Sequence, residues 1–464
     1  MKVSKKNVQS KTHAIPEIQF QDQQLTAFSG ITILQALFQR ISIKDSLTKC
    51  FSHLNNHALT YDYGVITLLL VVHLFLGKRR IQDINHYSDD PMVLRLMGLS
   101  TLPDCSTVSR RLAKMDAKSV QNLRQVNRTI VIDRLADLTL NRITLDFDGT
   151  VLSTGRYAEG TAVGFNKKKK GQRSYYPLNC TVAQTGQVLD VWHRPGNVHD
   201  SNGAKEFILD CIGRIKSCLP EAIIEVRMDS AFFSESIVDV LDGSGVEFSI
   251  SVPFARYTEL KSMIENRKRW RKLNDDVSFF ETKWKPKSWG QRYRFIFARE
   301  LTKVQDKKPV QLDLFTPYDY EHEFKVILTN KSLNVKKLIN YHNGRGYQEN
   351  IFAELKSQVQ MDYVPTKRLV GNQVYLLASL IVHNLNREMQ MICNAPDRNT
   401  TEKRSPLWVF KKISSIRNNF IKIAGRLTEP QGKLTLTMNA NKKKEMEFDQ
   451  HYECISDLIY ALLG

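Results

Sequence analysis

Residues 142–152 read RITLDFDGTVL. Ile143, Leu145 and Phe147 alternate with Thr144, Asp146 and Asp148, the period-two pattern of a strand with one apolar face. Both acids then point to the same side. Two carboxylates on one strand face are costly to bury without counter-charge, a pattern suited to holding a cation. From about residue 29 to 138 the periodicity is helical, so the chain turns from helix to strand at Arg142.

Downstream, SYYPLNCTVAQ and QVLDVWH read as a hairpin joined at Thr185–Gly186. RPGNVHD, residues 194–200, leads into a helix with Asn197 or Asp200 as its cap and Phe207, Cys211, Ile212 and Ile215 as its buried stripe. In EAIIEVRMDS, residues 221–230, Ile224, Val226 and Met228 alternate with Glu225, Arg227 and Asp229. Asp229 falls at the carboxyl end of that strand, where α/β sheets present functional groups. A helix after Ser234 and the strand VEFSISVP complete an order of three strands, helix, strand, helix, strand.

Residues 254–335 interrupt this order with a basic, aromatic, strand-rich stretch in which Trp270, Trp284, Trp289, Tyr293 and Phe295 interleave with Lys and Arg. The mixture suits phosphate contacts and stacking on unpaired bases, and the packing of an inserted β domain explains it equally well. Beyond it, YHNGRGYQENIFAELKSQVQM, residues 341–361, predicts a helix from about Arg345 with Tyr347, Ile351, Leu355 and Val359 as its apolar stripe. Arg345, Glu349 and Lys356 share its polar face, a carboxylate between two cations that suits a metal held beside a phosphate. An i,i+4 salt bridge between Arg345 and Glu349 is the plainer alternative. VGNQVYLLASLIVHNLNREMQM then supplies an apolar helix to cover the sheet.

The 464 residues exceed one domain, and 67 Lys plus Arg against 48 Asp plus Glu leave a net charge of +19. Such a surplus points to a polyanion, with nucleic acid foremost. Hydrophobic residues at 42% suffice for real cores. The run Val65–Leu76 is too short to span a bilayer, so no membrane partner is expected. Seven dispersed cysteines suggest neither a zinc module nor a disulfide framework. No phosphate-binding glycine loop appears. Within PMVLRLMGLSTLPDCSTVSRRLAKMD, residues 91–116, a helix ending at Gly98 and another capped by Ser106 or Thr107 resemble a helix–turn–helix that carries Arg110 and Arg111. Lys167, Lys168, Lys169 and Lys170 form a basic loop suited to a phosphate backbone.

Three features therefore coincide: D-x-D-G-T on a first strand, Asp229 after a fourth, and Tyr341, Arg345, Glu349 and Lys356 spaced Y-x3-R-x3-E-x6-K. This resembles the Y-R-E-K signature around the catalytic glutamate of bacterial DDE transposases, with one residue more between Tyr and Arg than is usual there. RPGNVHDSNGA and MDSAFFS are most similar to the insertion-sequence family numbered thirteen-eighty, of the group-one DDE kind. The resemblance implies a ribonuclease H-like (retroviral-integrase-like) α/β catalytic core with an inserted β domain and a helical N-terminal domain. The expected layout is a flexible basic arm over 1–28, a helical DNA-binding and assembly domain over 29–139, the core over 140–253 and 336–395, the insert over 254–335, and a basic C-terminal region over 396–464.

By the same resemblance the catalytic and metal-binding acids are Asp148, Asp229 and Glu349, with Asp146 as an auxiliary or the true first ligand. Two Mg²⁺ ions are implied, replaceable by Mn²⁺. The expected reaction is cleavage at the ends of an insertion sequence followed by strand transfer of the 3′-OH into target DNA. A metal-dependent nuclease without strand transfer and a non-catalytic DNA-binding relic are the alternatives. DNA contacts are expected from Arg345, Lys356, Tyr341, the 167–170 lysines, Arg110 and Arg111, with Trp289 stacking on a flipped base. The implied partners are terminal inverted repeats and target DNA, bound by a homodimer in a bacterial, nucleoid-associated setting.

Overall fold

The computed structural model describes residues 15, 17–54, 59–155, 157–164, 166, 169–301 and 322–463. Its centre is a mixed sheet of nine strands, numbered here within that sheet. They are β1 (Arg142–Gly149), β2 (Leu178–Val182), β3 (Gln187–Trp192), β4 (Ile223–Met228), β5 (Glu247–Ser251), β6 (Arg271–Lys272), β7 (Val277–Trp284), β8 (Tyr293–Leu301) and β9 (His322–Thr329). The spatial order is β6-β7-β8-β9-β5-β4-β1-β2-β3. β1, β4 and β5 run parallel, with Phe147 beside Met228 and Met228 beside Ile250. β2 returns antiparallel to β1, and Gly186 at φ +62° makes the tight turn into β3.

The insert adds strands to this sheet and does not form one of its own. β9 pairs antiparallel with β5 and β8 and β7 follow outward, so the described strands between 254 and 335 extend the core layer. Their aromatics pack inside it: Phe280 stacks on Phe297 with ring centroids 4.3 Å apart, and Trp284 meets Phe295 edge-on at 5.1 Å.

The two faces of β1 have different fates. Ile143, Leu145 and Phe147 are fully buried in one cluster with Phe207, Ile212, Ile237 and Leu241 from the Ala204–Cys218 and Glu235–Gly243 helices. Thr144, Asp146 and Asp148 face the Val335–Asn343 and Tyr347–Gln358 helices. Asp146 is buried there against Arg227, its register partner on β4, whose Nε and Nη2 donate to the two carboxylate oxygens at 2.6 and 2.7 Å. Arg227 is itself 0% exposed; its Nη1 also donates to the Tyr341 and Lys403 carbonyls, and its guanidinium lies 5.3 Å from the Tyr341 ring centre. Farther along, Glu225 accepts from Arg142, Lys331, Arg404 and Thr144. Burial works to raise its carboxyl, but Arg404 and Lys331 outweigh that and hold it at about 2.

The Leu369–Cys393 helix covers the β3 edge, as expected. Asn384 accepts from the Val188 N–H and donates to the Val188 carbonyl, both at 2.8 Å, while Asn127 of the Ala117–Leu138 helix donates to the same carbonyl. The apolar run of 65–76 forms most of the Tyr63–Phe75 helix and its C-cap, Leu76, buried on nearly every side, and no described helix is long and apolar enough to cross a membrane. Of the expected arm, residues 1–14 lie outside the described residues, and Leu25–Thr26 already pairs with Gly425–Thr428. The Lys442–Leu463 helix returns to the Ile31–Arg40 helix, where Arg40 donates to the Cys454 carbonyl at 2.8 Å, so this late helix joins the N-terminal helical body.

Two caps differ from the sequence expectation. Asp104, not Ser106 or Thr107, caps the Cys105–Lys114 helix by accepting from Thr107 N at 2.8 Å, because it stands just before the first helical residue whereas Ser106 and Thr107 already lie inside the helix. The Ala204–Cys218 helix starts after Gly203, at φ +65°, and uses neither Asn197 nor Asp200.

Removing Asp146 would strand a buried guanidinium. Asp146→Ala is expected to lose about 3–5 kcal/mol of folding stability, measured by urea unfolding; a midpoint equal to wild type would refute the structural role.

Candidate active site

Asp148 closes β1 and Asp229 follows β4, so two adjacent parallel strands deliver both carboxylates to one end of the sheet. Asp229 Oδ1 accepts from Ala231 N at 3.0 Å, which fixes the turn Ser230–Phe232 behind it. The Asp148 side chain is 18% exposed. Burial, and then the charge of Asp229, raise its carboxyl to about 7, against the pull of Arg345, whose Nη1 stands 3.3 Å from Oδ2. Asp146 is neutralised by Arg227 on the buried part of the same strand face. Asp148 is the acid of the D-x-D pair that shares its surroundings with Asp229.

The helix expected from Arg345 begins at Tyr347, and Arg345 lies on a 3-10 turn, Gly344–Gly346, just before it. The turn tilts Arg345 away from the helix face, so it pairs with Asp148, and no Arg345–Glu349 bridge occurs among the described residues. Gln348 Nε2 donates to the Asp146 carbonyl at 2.9 Å, seating the first helical turn on β1. Glu349, one residue on, is exposed and makes no hydrogen bond or ion pair among the described residues. Lys356 is half-buried two turns along. Among the described residues no three carboxylate, imidazole or thiolate groups converge closely enough to hold one ion.

Other expected contacts fall elsewhere. Tyr341 is fully buried, with Lys331 Nζ 4.6 Å and the Arg227 guanidinium 5.3 Å from its ring centre, so it is an anchor out of reach of DNA. Trp289 is 6% exposed and its ring stacks on Phe233 at 4.9 Å, which leaves no face for a base. Lys169 and Lys170 are exposed, and Lys167 and Lys168 lie outside the described residues. Arg110 and Arg111, with Lys114, Thr107, Thr60 and Tyr61, line a cavity of about 300 Å³ on the helical body, remote in sequence from the acids.

Three residues near the acids carried no signal as site residues. Lys325 of β9 donates to Asn343 Oδ1 at 2.7 Å, two residues before Arg345, and adds a second cation to that rim. Asp200 and Tyr176 stand beside Gly149: a Cβ there would lie 2.4 Å from Asp200 Oδ1 and 2.5 Å from Tyr176 Cζ. This is why D-G-T needs its glycine. Its absent side chain is filled by groups from two loops, which no local pattern could announce.

Because the Asp148 carboxyl rises from 3.8 to about 7 on folding, the folded state loses stability as pH climbs through that window, and the loss is complete above about pH 7. Asp148→Asn in the absence of divalent cations is therefore expected to gain up to about 4 kcal/mol at about pH 8 and almost nothing below about pH 4. Denaturant midpoints at the two values check this, and an unchanged midpoint at the higher pH would contradict it.

Residues 9–459 match the family described as transposase DDE domain group 1. No curated protein matches the chain. Among solved structures it is similar to a piggyBac transposase synaptic complex with hairpin DNA, at 13% identity and a TM-score of 0.43, over 84% of this chain and 79% of that one. It is also similar to a Mos1 transposase paired-end complex with the left transposon end, at 11% identity and a TM-score of 0.18, over 41% and 59%. These likenesses are remote, whereas the family match spans nearly the whole sequence: the chain belongs to the group 1 DDE-domain transposases.

Proposed function

We propose that this transposase cuts the ends of its own mobile element and joins the freed 3′-OH to target DNA, on a ribonuclease H-like core with Asp148, Asp229 and Glu349 as its acids. The observation that carries the reading is the meeting of Asp148 and Asp229 at one end of β1 and β4, with Arg345 on Asp148 and the Glu349 helix seated on β1.

The donor set is oxygen only, and Asp148 and Asp229 repel each other where burial already disfavours charge. That fits Mg²⁺, or Mn²⁺ in its place, which is commonly held by one or two carboxylates together with phosphate and water. When bound, a pair of such ions supplies activation of the attacking oxygen and stabilisation of the leaving one. Asp148 and Asp229 bind from the sheet, and Glu349, free of other partners among the described residues, closes from the helix. Arg345 and Lys356, with the exposed 169–170 lysines, neutralise phosphates and orient the strand. Arg110 and Arg111 grip the flanking duplex. Two DNA ends require two copies of the site, hence a homodimer on DNA.

Asp148→Ala, Asp229→Ala and Glu349→Ala are each expected to reduce Mg²⁺-dependent end cleavage and strand transfer to background while terminal-repeat binding persists. Paired assays on intact and pre-cleaved ends separate cutting from joining, and full cleavage by the Glu349 variant would remove it from the triad. Terminal-repeat affinity should fall with a log–log salt slope of about −0.9 per neutralised phosphate, and Lys356→Ala should flatten that slope by about 1. A slope near zero would count against a DNA track on this surface.

A further inference from the structure

The R-P-G-N-V-H-D loop holds a carboxylate that the reading above leaves unused. Arg194 is 2% exposed and pins the loop from within. Its Nη1 donates to the carbonyls of His199, Asp200 and Asn202 at 3.1–3.3 Å, its Nε to the Tyr176 carbonyl at 3.3 Å, and its Nη2 to Asp200 Oδ1 at 3.3 Å. Tyr176 donates its hydroxyl to Asp200 Oδ2 at 2.9 Å. Both oxygens of Asp200 are thus occupied, and the carboxylate is clamped against the Gly149 backbone, one residue beyond Asp148.

A surface capping acid needs no such construction. A buried guanidinium, a tyrosine and an obligatory glycine together fix one carboxylate next to two others that already repel. Burial and the charge of Asp229 raise the Asp148 carboxyl, with a smaller push from Asp200; burial, and then the charge of Asp229 against the Tyr176 hydrogen bond, raise Asp200 in turn. Asp200 Oδ1, which Arg194 reaches at 3.3 Å, is also the oxygen that stands against Gly149, the residue next to Asp148. Each Asp200 oxygen already accepts a hydrogen bond, so what the clamp fixes beside Asp148 is above all a charge.

We propose that Asp200 is a positioning residue of the cation-binding centre: a fixed negative charge that strengthens divalent-cation binding by Asp148 and Asp229 through its field, without ligating the ion. This rests on the reading given under Proposed function, that Asp148 and Asp229 bind the cation. A unit charge at close range across a partly buried site changes affinity by about tenfold or more, even after the offset from Arg194.

The test is Mn²⁺ titration of the full-length, DNA-free protein, with free Mn²⁺ read by electron paramagnetic resonance and folding checked by circular dichroism. Asp200→Asn, which keeps the shape but loses the charge, is expected to weaken Mn²⁺ binding about tenfold, and Asp200→Glu is expected to stay within about threefold of wild type. Should the Asn variant not fold, Asp200→Ser carries the same expectation. Asp148→Asn is the control for the underlying reading. If it loses Mn²⁺ while neutral Asp200 variants bind within about twofold of wild type, the role of Asp200 is refuted and the centre stands. Equal weakening by Glu and Asn would show a packing role and also refute it. If Asp148→Asn binds Mn²⁺ like wild type, the assignment of the centre itself fails, and this proposal goes with it.

Discussion

The pairing of Asp146 with Arg227 underlies everything else in this molecule. It joins the first and fourth strands of the sheet at one register step, and the same guanidinium reaches the Tyr341 carbonyl and the Lys403 carbonyl. One side chain thereby fastens the central strand pair, the helix that precedes the Glu349 segment and a strap from the C-terminal region. Low local polarity strengthens each of these bonds and makes the loss of any partner severe. With that pair closed, Asp148 and Asp229 are left beside each other at the open end of the two strands.

Charge in the neighbourhood is sorted by depth. Below, Glu225 is saturated by Arg142, Lys331 and Arg404, and Tyr341 is covered by Arg227 and Lys331. Above, among the described residues, Arg345 pairs with Asp148 and Lys325 stands on the same rim, against the charges of Asp229 and Asp200. The buried acids are paired, whereas Asp148 and Asp229 meet with a repulsion that a bound cation would relieve. Stability and reactivity are drawn from the same two strands, separated by two residues along β1.

Much of this was legible in the sequence where a period or a spacing carried it. Alternation along 142–149 and 223–228 placed the acids on one face, and the order of strands and helices held throughout the core. The choice between Asp146 and Asp148 was not legible, because it depends on Arg227, 81 positions away. Aromatic residues interleaved with lysines in the insert suggested a stacking surface; Trp289 instead packs on Phe233, since a sheet extended by four strands needs large rings for its own core. Arg345 read as part of a regular helix, but the glycines at 344 and 346 flank a tighter turn, and that turn aims it at Asp148. Asp200 read as a helix cap because Asx residues before helices usually are caps.

The sealing of β3 has a consequence for how two copies of this chain can meet. Its outer backbone groups at Val188 are taken by Asn384 and Asn127, and the opposite border of the sheet ends in the two-residue strand of the basic Arg271 and Lys272. A border that is either stoppered by amides or crowded with like charge does not accept a neighbour's strand. On those two borders, contact between copies of the chain is left to side chains.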